Sequence, residues 1–243
     1  MLESSDYREL SKRYGFAPIP ESVLRLTELV ANQDSDLEAI AQLIDKDPAL
    51  KKRLLRLANP TIANEADYEL DTVEGAIFRK GIGCALLLAM GTPLAFALAK
   101  TFQTMLALKL ETVDPRALKP VLPPYVVGTI GFSGKAAGTV CLRMAANSGT
   151  QVAAGIMGLE PKDLTDPSEV NDSIGELLNI ITGNFKSNLC DAGLDCRLQP
   201  PKVWQTSEAY TPVVPGGGLE RMAFRAGNIL VFVDVAVNPW NEE

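Results

Sequence analysis

No histidine occurs among the 243 residues of this chain. Histidine is the commonest general base near neutral pH and the usual ligand of zinc and of dinuclear metal hydrolase centres, so Ser-His-Asp and Cys-His catalysis and the ordinary metallohydrolase sites are excluded. What remains for catalysis is carboxylate, amide, lysine or hydroxyl chemistry, or a metal brought by a partner. The cysteines Cys84, Cys141, Cys190 and Cys196 show no CxxC spacing, which argues against a zinc site and against structural disulfides. Excess positive charge is missing too. With 23 Lys and Arg against 30 Asp and Glu, the formal net charge of −7 argues against general nucleic-acid binding and against electrostatic attachment to a membrane. No signal-peptide pattern opens the chain, and a cytoplasmic location is the simplest expectation.

Long uncharged runs are scarce, with one exception. Residues 81–99 (GIGCALLLAMGTPLAFALA) hold no charge between Lys80 and Lys100 and are long enough for a spanning helix. The interior argues otherwise: Gly91, Thr92 and Pro93 read as a helix stop followed at once by an N-cap and a first-turn proline. Two helices of a water-soluble protein are expected to meet there, which places a domain boundary between 92 and 93.

Upstream of that junction the pattern is helical throughout. Helices are expected over Glu21–Ala31, over Leu37–Ile44 behind a Ser35/Glu38 capping box, over Pro48–Ala58 behind Asp47, and over Thr72–Lys80 behind Asp71 with Glu74. Leu24, Leu26, Leu29, Ile40, Leu43, Ile44, Leu50, Leu54, Leu55 and Leu57 supply apolar faces for a helical bundle. Lys51, Lys52, Arg53 and Arg56 form a basic cluster that reads first as a solvated helix face and second as a surface for an acidic partner or nucleic acid.

Downstream the period changes. One more helix is expected from Pro93 to Glu111, then a proline-rich connection, then strands over Tyr125–Phe132 and Thr139–Met144 joined as a hairpin. A helix from about Gly149 to Met157 follows. Short strands are expected over Asp195–Leu198 and Lys202–Thr206, then over Arg221–Arg225 and Asn228–Val237 around an Ala226-Gly227 turn. The fold class is α+β: an all-α front segment, then a mostly antiparallel sheet with long helices on one face. The glycine run 216–218 lacks a strand-to-helix context and reads as a flexible turn, while Trp204 and Trp240 read as packing residues.

The most informative run is Asp166 to Gly193, DPSEVNDSIGELLNIITGNFKSNLCDAG. Asp166 is a good N-cap, Pro167 suits the first turn, Glu169 completes a capping box, and Gly193 is a natural stop. Roughly 26 helical residues would span about 39 Å. Ile174, Leu177, Leu178, Ile181 and Phe185 make its apolar side. Opposite them, Asp172, Glu176 and Asn179 fall within about 40° of one line. Gly183 continues that stripe and Gly175 lies beside it, as low spots where another protein could approach; Lys186 lies on the same stripe, where it could bind phosphate or simply be solvated.

PIPESVLRLTELV, LEAIAQLIDKDPALKKRLLRLAN and DTVEGAIFRKGIG together resemble the front half of an HDOD domain, over about residues 16–92. That family is related in fold to HD phosphohydrolases but lacks their metal ligands, and the resemblance implies a truncated docking or regulatory segment across residues 1–92. The GTIGFSGKAAGTVCL hairpin, the DSIGELLNIITGNFKSNL helix and the terminal hairpin resemble the CheX branch of the CheC/CheX/FliY chemotaxis phosphatases, across residues 93–243. The signature of that family is an acidic residue or serine, three positions, glutamate, two positions, asparagine. Asp172, Glu176 and Asn179 match it.

The resemblance implies removal of the phosphoryl group from the aspartate of a phosphorylated response-regulator receiver in bacterial two-component signalling. No cofactor is expected in this chain, since such a receiver carries its own Mg²⁺ and a helper has only to place water and hold the partner's groups still. Asn179 would orient the attacking water, Glu176 would hold the receiver's active-site lysine, and Asp172 would support the docking surface or the same cation. By analogy with relatives that join sheet edges, a homodimer is expected. An alternative of another class is a non-catalytic receiver-binding or scaffolding protein that uses the same helix surface.

Overall fold

Short capped segments at the front of the chain become helices because each has an apolar stripe and a side chain to close its first turn. The computed structural model describes residues 20–32, 36–59, 70–80, 83–135, 137–191, 194–213 and 218–238. Helices α1 (Glu21–Ala31), α2 (Leu37–Lys46), α3 (Pro48–Ala58) and α4 (Val73–Lys80) follow in order. Asp47 caps α3 as expected, its Oδ1 accepting from the Ala49 and Leu50 N–H groups at 2.8 and 3.1 Å. Two caps differ from expectation by one residue. Asp36 closes α2 by accepting from the Glu38 N–H at 3.0 Å, Ser35 lying outside the described residues. The Thr72 hydroxyl, not Asp71, accepts from the Gly75 N–H at 3.2 Å at the start of α4.

The expected break at Gly91-Thr92-Pro93 does not occur. Helix α5 runs from Gly83 to Leu106 with Pro93 inside it, so the 92/93 division falls within a continuous helix. Its uncharged stretch is apolar all round because α5 is covered all round, by α1, α3 and α4 on one side and by α7 and the sheet on the other. Leu87, Leu88, Ala89, Met90, Leu94, Ala97, Leu98 and Phe102 are buried. No helix among the described residues is long and apolar enough to cross a membrane. The helix expected to reach Glu111 stops at Leu106, where Ala107 turns left-handed (φ 54°) and the Leu108 N–H returns to the Phe102 carbonyl.

Arg53 accounts for Gly91 and Thr92. Its guanidinium leaves the basic face of α3 and pairs with Glu220, 167 residues away, through Nε–Oε1 at 3.0 Å, Nη2–Oε1 at 2.7 Å and Nη2–Oε2 at 2.9 Å. Nη1 also donates to the Thr92 hydroxyl at 2.9 Å. A Cβ at Gly91 would strike the Glu220 carboxylate, so the glycine makes the notch in α5 that the pair fills. Burial pushes the Glu220 carboxyl above its ordinary value and Arg53 pulls against that shift. Lys51 behaves as a surface residue, pairing with Asp45 at 2.7 Å.

After α5 come β1 (Glu111–Val113), which the sequence reading missed, a 3-10 turn at Pro115–Ala117, β2 (Tyr125–Gly134), β3 (Gly138–Ala145), α6 (Ala146–Met157), α7 (Pro167–Asp191), β4 (Cys196–Leu198), β5 (Lys202–Thr206), β6 (Gly218–Ala226) and β7 (Ile229–Val237). The described strands form one antiparallel sheet in the order β1-β6-β7-β3-β2-β4, with β5 also on β2. The hairpins expected at 125–144 and 221–237 are both present, the second turning at Gly227 with φ 58°.

The sheet has two unlike faces. Val126, Ile130, Phe132, Val140, Leu142, Met144, Val231, Val233 and Val235 point to the helices and join one apolar core that extends to Val23 and Leu26 of α1. The alternate residues make a smaller outer cluster of Tyr125, Val127 and Cys141 under Val121, Trp204 and Tyr210. Trp204 packs as expected, edge-on to Tyr210 at 5.1 Å between ring centres. Arg221 and Asp234, opposite each other on β6 and β7, form a bidentate pair at 2.7 and 2.6 Å on this face. Arg143 lies over the Phe232 ring at 4.8 Å.

Candidate functional site

Helix α7 is held by its apolar side. Ile174, Leu177, Leu178, Ile181, Phe185 and Leu189 are fully buried, the first five being the residues expected there. Gly128 on β2 lets the helix lie close: a Cβ there would meet Leu178 Cδ2 at 3.1 Å and Ile174 Cγ2 at 3.7 Å. Phe185 meets Phe132 edge-on, ring centres 6.0 Å apart. From the other flank α5 and α6 pack on α7, so the helix is clamped between the sheet and two neighbours. Asp166 closes its first turn, Oδ1 accepting from the Ser168 N–H at 2.8 Å. At the far end the Leu194 N–H returns to the Leu189 carbonyl at 2.8 Å; Gly193, the expected stop, lies outside the described residues.

Asp172, Glu176 and Asn179 are all exposed on the side of α7 away from this packing. Spacings of four and three residues at 3.6 per turn put them in one row, with successive Cα atoms rising about 6 Å and about 4.5 Å along the axis. Thr182 fixes its own hydroxyl on the Leu178 carbonyl at 2.7 Å and so leaves the row to these three. A carboxylate accepts only, whereas a carboxamide both donates and accepts. The row therefore offers two anionic acceptors beside one bifunctional group, on a rigid support.

The remaining stripe residues divide. Gly183 is half-buried and a Cβ there would meet nothing within 4 Å, which makes it an open low spot as expected. Gly175 departs from that expectation: it is buried, and its missing side chain faces Val203 and Pro201 at 3.6 and 3.9 Å. Its smallness serves the packing of α7 under β5, which periodicity alone could not tell from an approach to a partner. Lys186 is half-buried and lines an open cleft with Lys135, Arg197 and Asp195 at the C-terminal end of the stripe. Among the described residues no three His, Cys, Asp or Glu side chains gather as a metal centre would require. Of the glycine run 216–218 only Gly218 is described, within β6, and Trp240 lies outside the described residues.

The described strands thus form a seven-stranded antiparallel sheet that carries a long helix with an outward acid-and-amide row. Residues 126–216 match the family model for the chemotaxis phosphatase CheX, and residues 16–112 match that for the HDOD domain. The chain thus carries an HDOD domain toward its N-terminal side and a CheX chemotaxis phosphatase domain toward its C-terminal side. The HDOD match reaches through α5 to 112, beyond the point near 92 where the sequence pattern resembles that family. CheX from Vibrio vulnificus shares the fold with a TM-score of 0.54 at 22% identity, over 61% of this chain and 96% of that one. A CheC-like superfamily protein from Shewanella sp. PV-4 does so with 0.54 at 22%, over 61% and 97%. CheX of Borrelia burgdorferi, solved in complex with CheY, BeF3 and Mg²⁺, matches with 0.53 at 23%, again over 61% and 97%. No curated protein matches this chain.

Proposed function

We propose that this chain speeds hydrolysis of the aspartyl phosphate of a response-regulator receiver that docks on the outer row of α7. The observation that carries the reading is the exposed alignment of Asp172, Glu176 and Asn179 on a clamped helix. The name of the matching family and the receiver-bound state of the Borrelia relative support it.

Hydrolysis requires water in line with the phosphorus and the aspartyl oxygen that leaves. The P–O bond to the carboxyl breaks as the water oxygen bonds to phosphorus, releasing inorganic phosphate and a free carboxylate. Asn179 accepts a hydrogen bond from that water through its carbonyl oxygen while its NH₂ donates to a phosphoryl oxygen, which fixes the angle of attack. Glu176 accepts a charge-assisted hydrogen bond from a lysine of the receiver and keeps it beside the phosphoryl group. Asp172, one turn toward the N-terminus, extends the same anionic surface. Mg²⁺ belongs to the receiver in this scheme, and the receiver's own slow hydrolysis is the reaction that is accelerated.

The test follows decay of an acyl-phosphorylated receiver with and without this protein, then with Asn179→Ala. Faster decay that the substitution nearly abolishes is the expected result. If no receiver of the same organism loses phosphate faster, the enzymatic reading fails. Co-elution of the same pair would then leave a binding or scaffolding role for the same surface.

A further inference from the structure

Cys190 and Cys196 line one cleft, at the C-terminal turn of α7 and the first residue of β4. Cys190 is half-exposed and Cys196 buried, and both are free thiols. Lys135, Lys186 and Arg197 line the same cleft, Asp195 being the carboxylate among its lining residues. Cys141 makes a useful contrast. It is sealed in the outer face of the sheet, where burial pushes its thiol up to about 12 and leaves it inert.

Thiolates rather than thiols attack disulfides, and the cations lining the cleft draw in anionic reagents, while burial holds the Cys196 thiol above its ordinary value. We propose that Cys190 and Cys196 are a redox-active pair that an anionic low-molecular-weight disulfide of the glutathione type converts to an intramolecular disulfide. Cys190, the accessible thiol, loses its proton to solvent and attacks one sulfur of the reagent. The reagent's S–S bond breaks, and the first reduced thiol leaves with a proton. Cys196 then gives up its proton, attacks Cys190 Sγ and displaces the second reduced thiol. The two protein thiols lose two electrons in total, and the reagent gains them. The product ties the last turn of α7 to β4, about 16 Å along the helix from Asn179. Reversible pairs of this kind are the form in which disulfides occur in reducing compartments, and the reading does not depend on phosphatase activity.

Both cysteines fall on one tryptic peptide, Ser187–Arg197, so the product is read directly by mass. The full-length protein is incubated with oxidised glutathione, blocked with a maleimide and digested. The expected peptide lacks two hydrogens and carries no blocking group, and dithiothreitol restores two alkylatable thiols. Cys190→Ser should leave Cys196 as a free thiol. Cysteines so near in sequence can also pair in an unfolded chain, so the equilibrium with glutathione is measured again in denaturant. The folded protein should favour the disulfide by about tenfold or more. Two alkylated cysteines, glutathione retained on Cys190, a link between two chains, or an equal or smaller constant in the folded state would each overturn the proposal.

Discussion

The polar faces of α3 and α7 look alike in sequence and serve opposite ends. Each is a run of charged or amide side chains opposite an apolar stripe, and each by periodicity faces water. On α7 the row of Asp172, Glu176 and Asn179 does face water. On α3 Arg53 is withdrawn into the junction between the helical segment and β6, where it meets a Glu220 that is almost wholly buried. A helix surface therefore stays open or becomes a staple according to what the rest of the chain lays over it. Burying two charges strips their water, and only a close bidentate geometry with satisfied neighbours compensates. Arg53 has that geometry, with Thr92 as a further acceptor.

Substitutions on the two helices should separate accordingly. The largest effect is expected on α7: Asn179→Ala should lower the receiver dephosphorylation rate by about 10² to 10⁴. The urea midpoint should stay near wild type, since the side chain is exposed. Parallel losses of stability and rate would show that Asn179 holds the fold rather than the water.

Next comes α3, where Arg53→Met should cost about 3–5 kcal/mol in urea unfolding by stranding the Glu220 carboxylate. Changing both residues to apolar ones should recover most of that loss. The cost should depend on pH in a defined direction. Burial raises the folded-state Glu220 value above its ordinary 4.5, so the folded variant holds the extra proton. Its stability is then greatest below the ordinary value and falls as pH climbs through the raised one. A pH-independent cost would mean that water reaches Glu220 once Arg53 is gone.

A smaller loss, about 1–3 kcal/mol by overpacking, is expected for Gly91→Ala, because the added methyl enters the space of the Glu220 carboxylate. An ordinary helix glycine would gain stability from the same change. Gly183→Ala supplies that comparison: with open space around it, the substitution should stabilise by about 0.5–1 kcal/mol. If the receiver rests on that low spot, the same variant should raise KM while leaving kcat near wild type.

Much of this was legible in the chain. The bounds of α1 and α3, the hairpins, the cap and apolar face of α7 and the outward row all follow from short-range pattern: a repeat of 3.6 or 2, a capping side chain, a turn glycine. The readings that failed depend on partners far away in sequence. Gly91-Thr92-Pro93 has the composition of a helix end, yet the helix runs through it, and Gly91 and Thr92 receive an ion pair between Arg53 and Glu220. Gly175 has the look of an open position on a contact face and is instead packed under β5. β1 is only three residues long and exists because β6 pairs with it.

Local chemistry therefore determined by itself that the chain would form a helical segment, an antiparallel sheet and a long helix with an acid-and-amide row, and that histidine chemistry would play no part. Those outcomes rest on interactions between residues a turn or a hairpin apart, which any window of the chain contains. Only the tertiary structure decided that the helical segment and the sheet share one core through an unbroken α5. It alone showed that Arg53 turns inward onto a buried Glu220 while Asn179 faces water, and that Cys190 and Cys196 share a cleft. Burial and pairing depend on which surfaces meet, and that is a property of the whole folded chain.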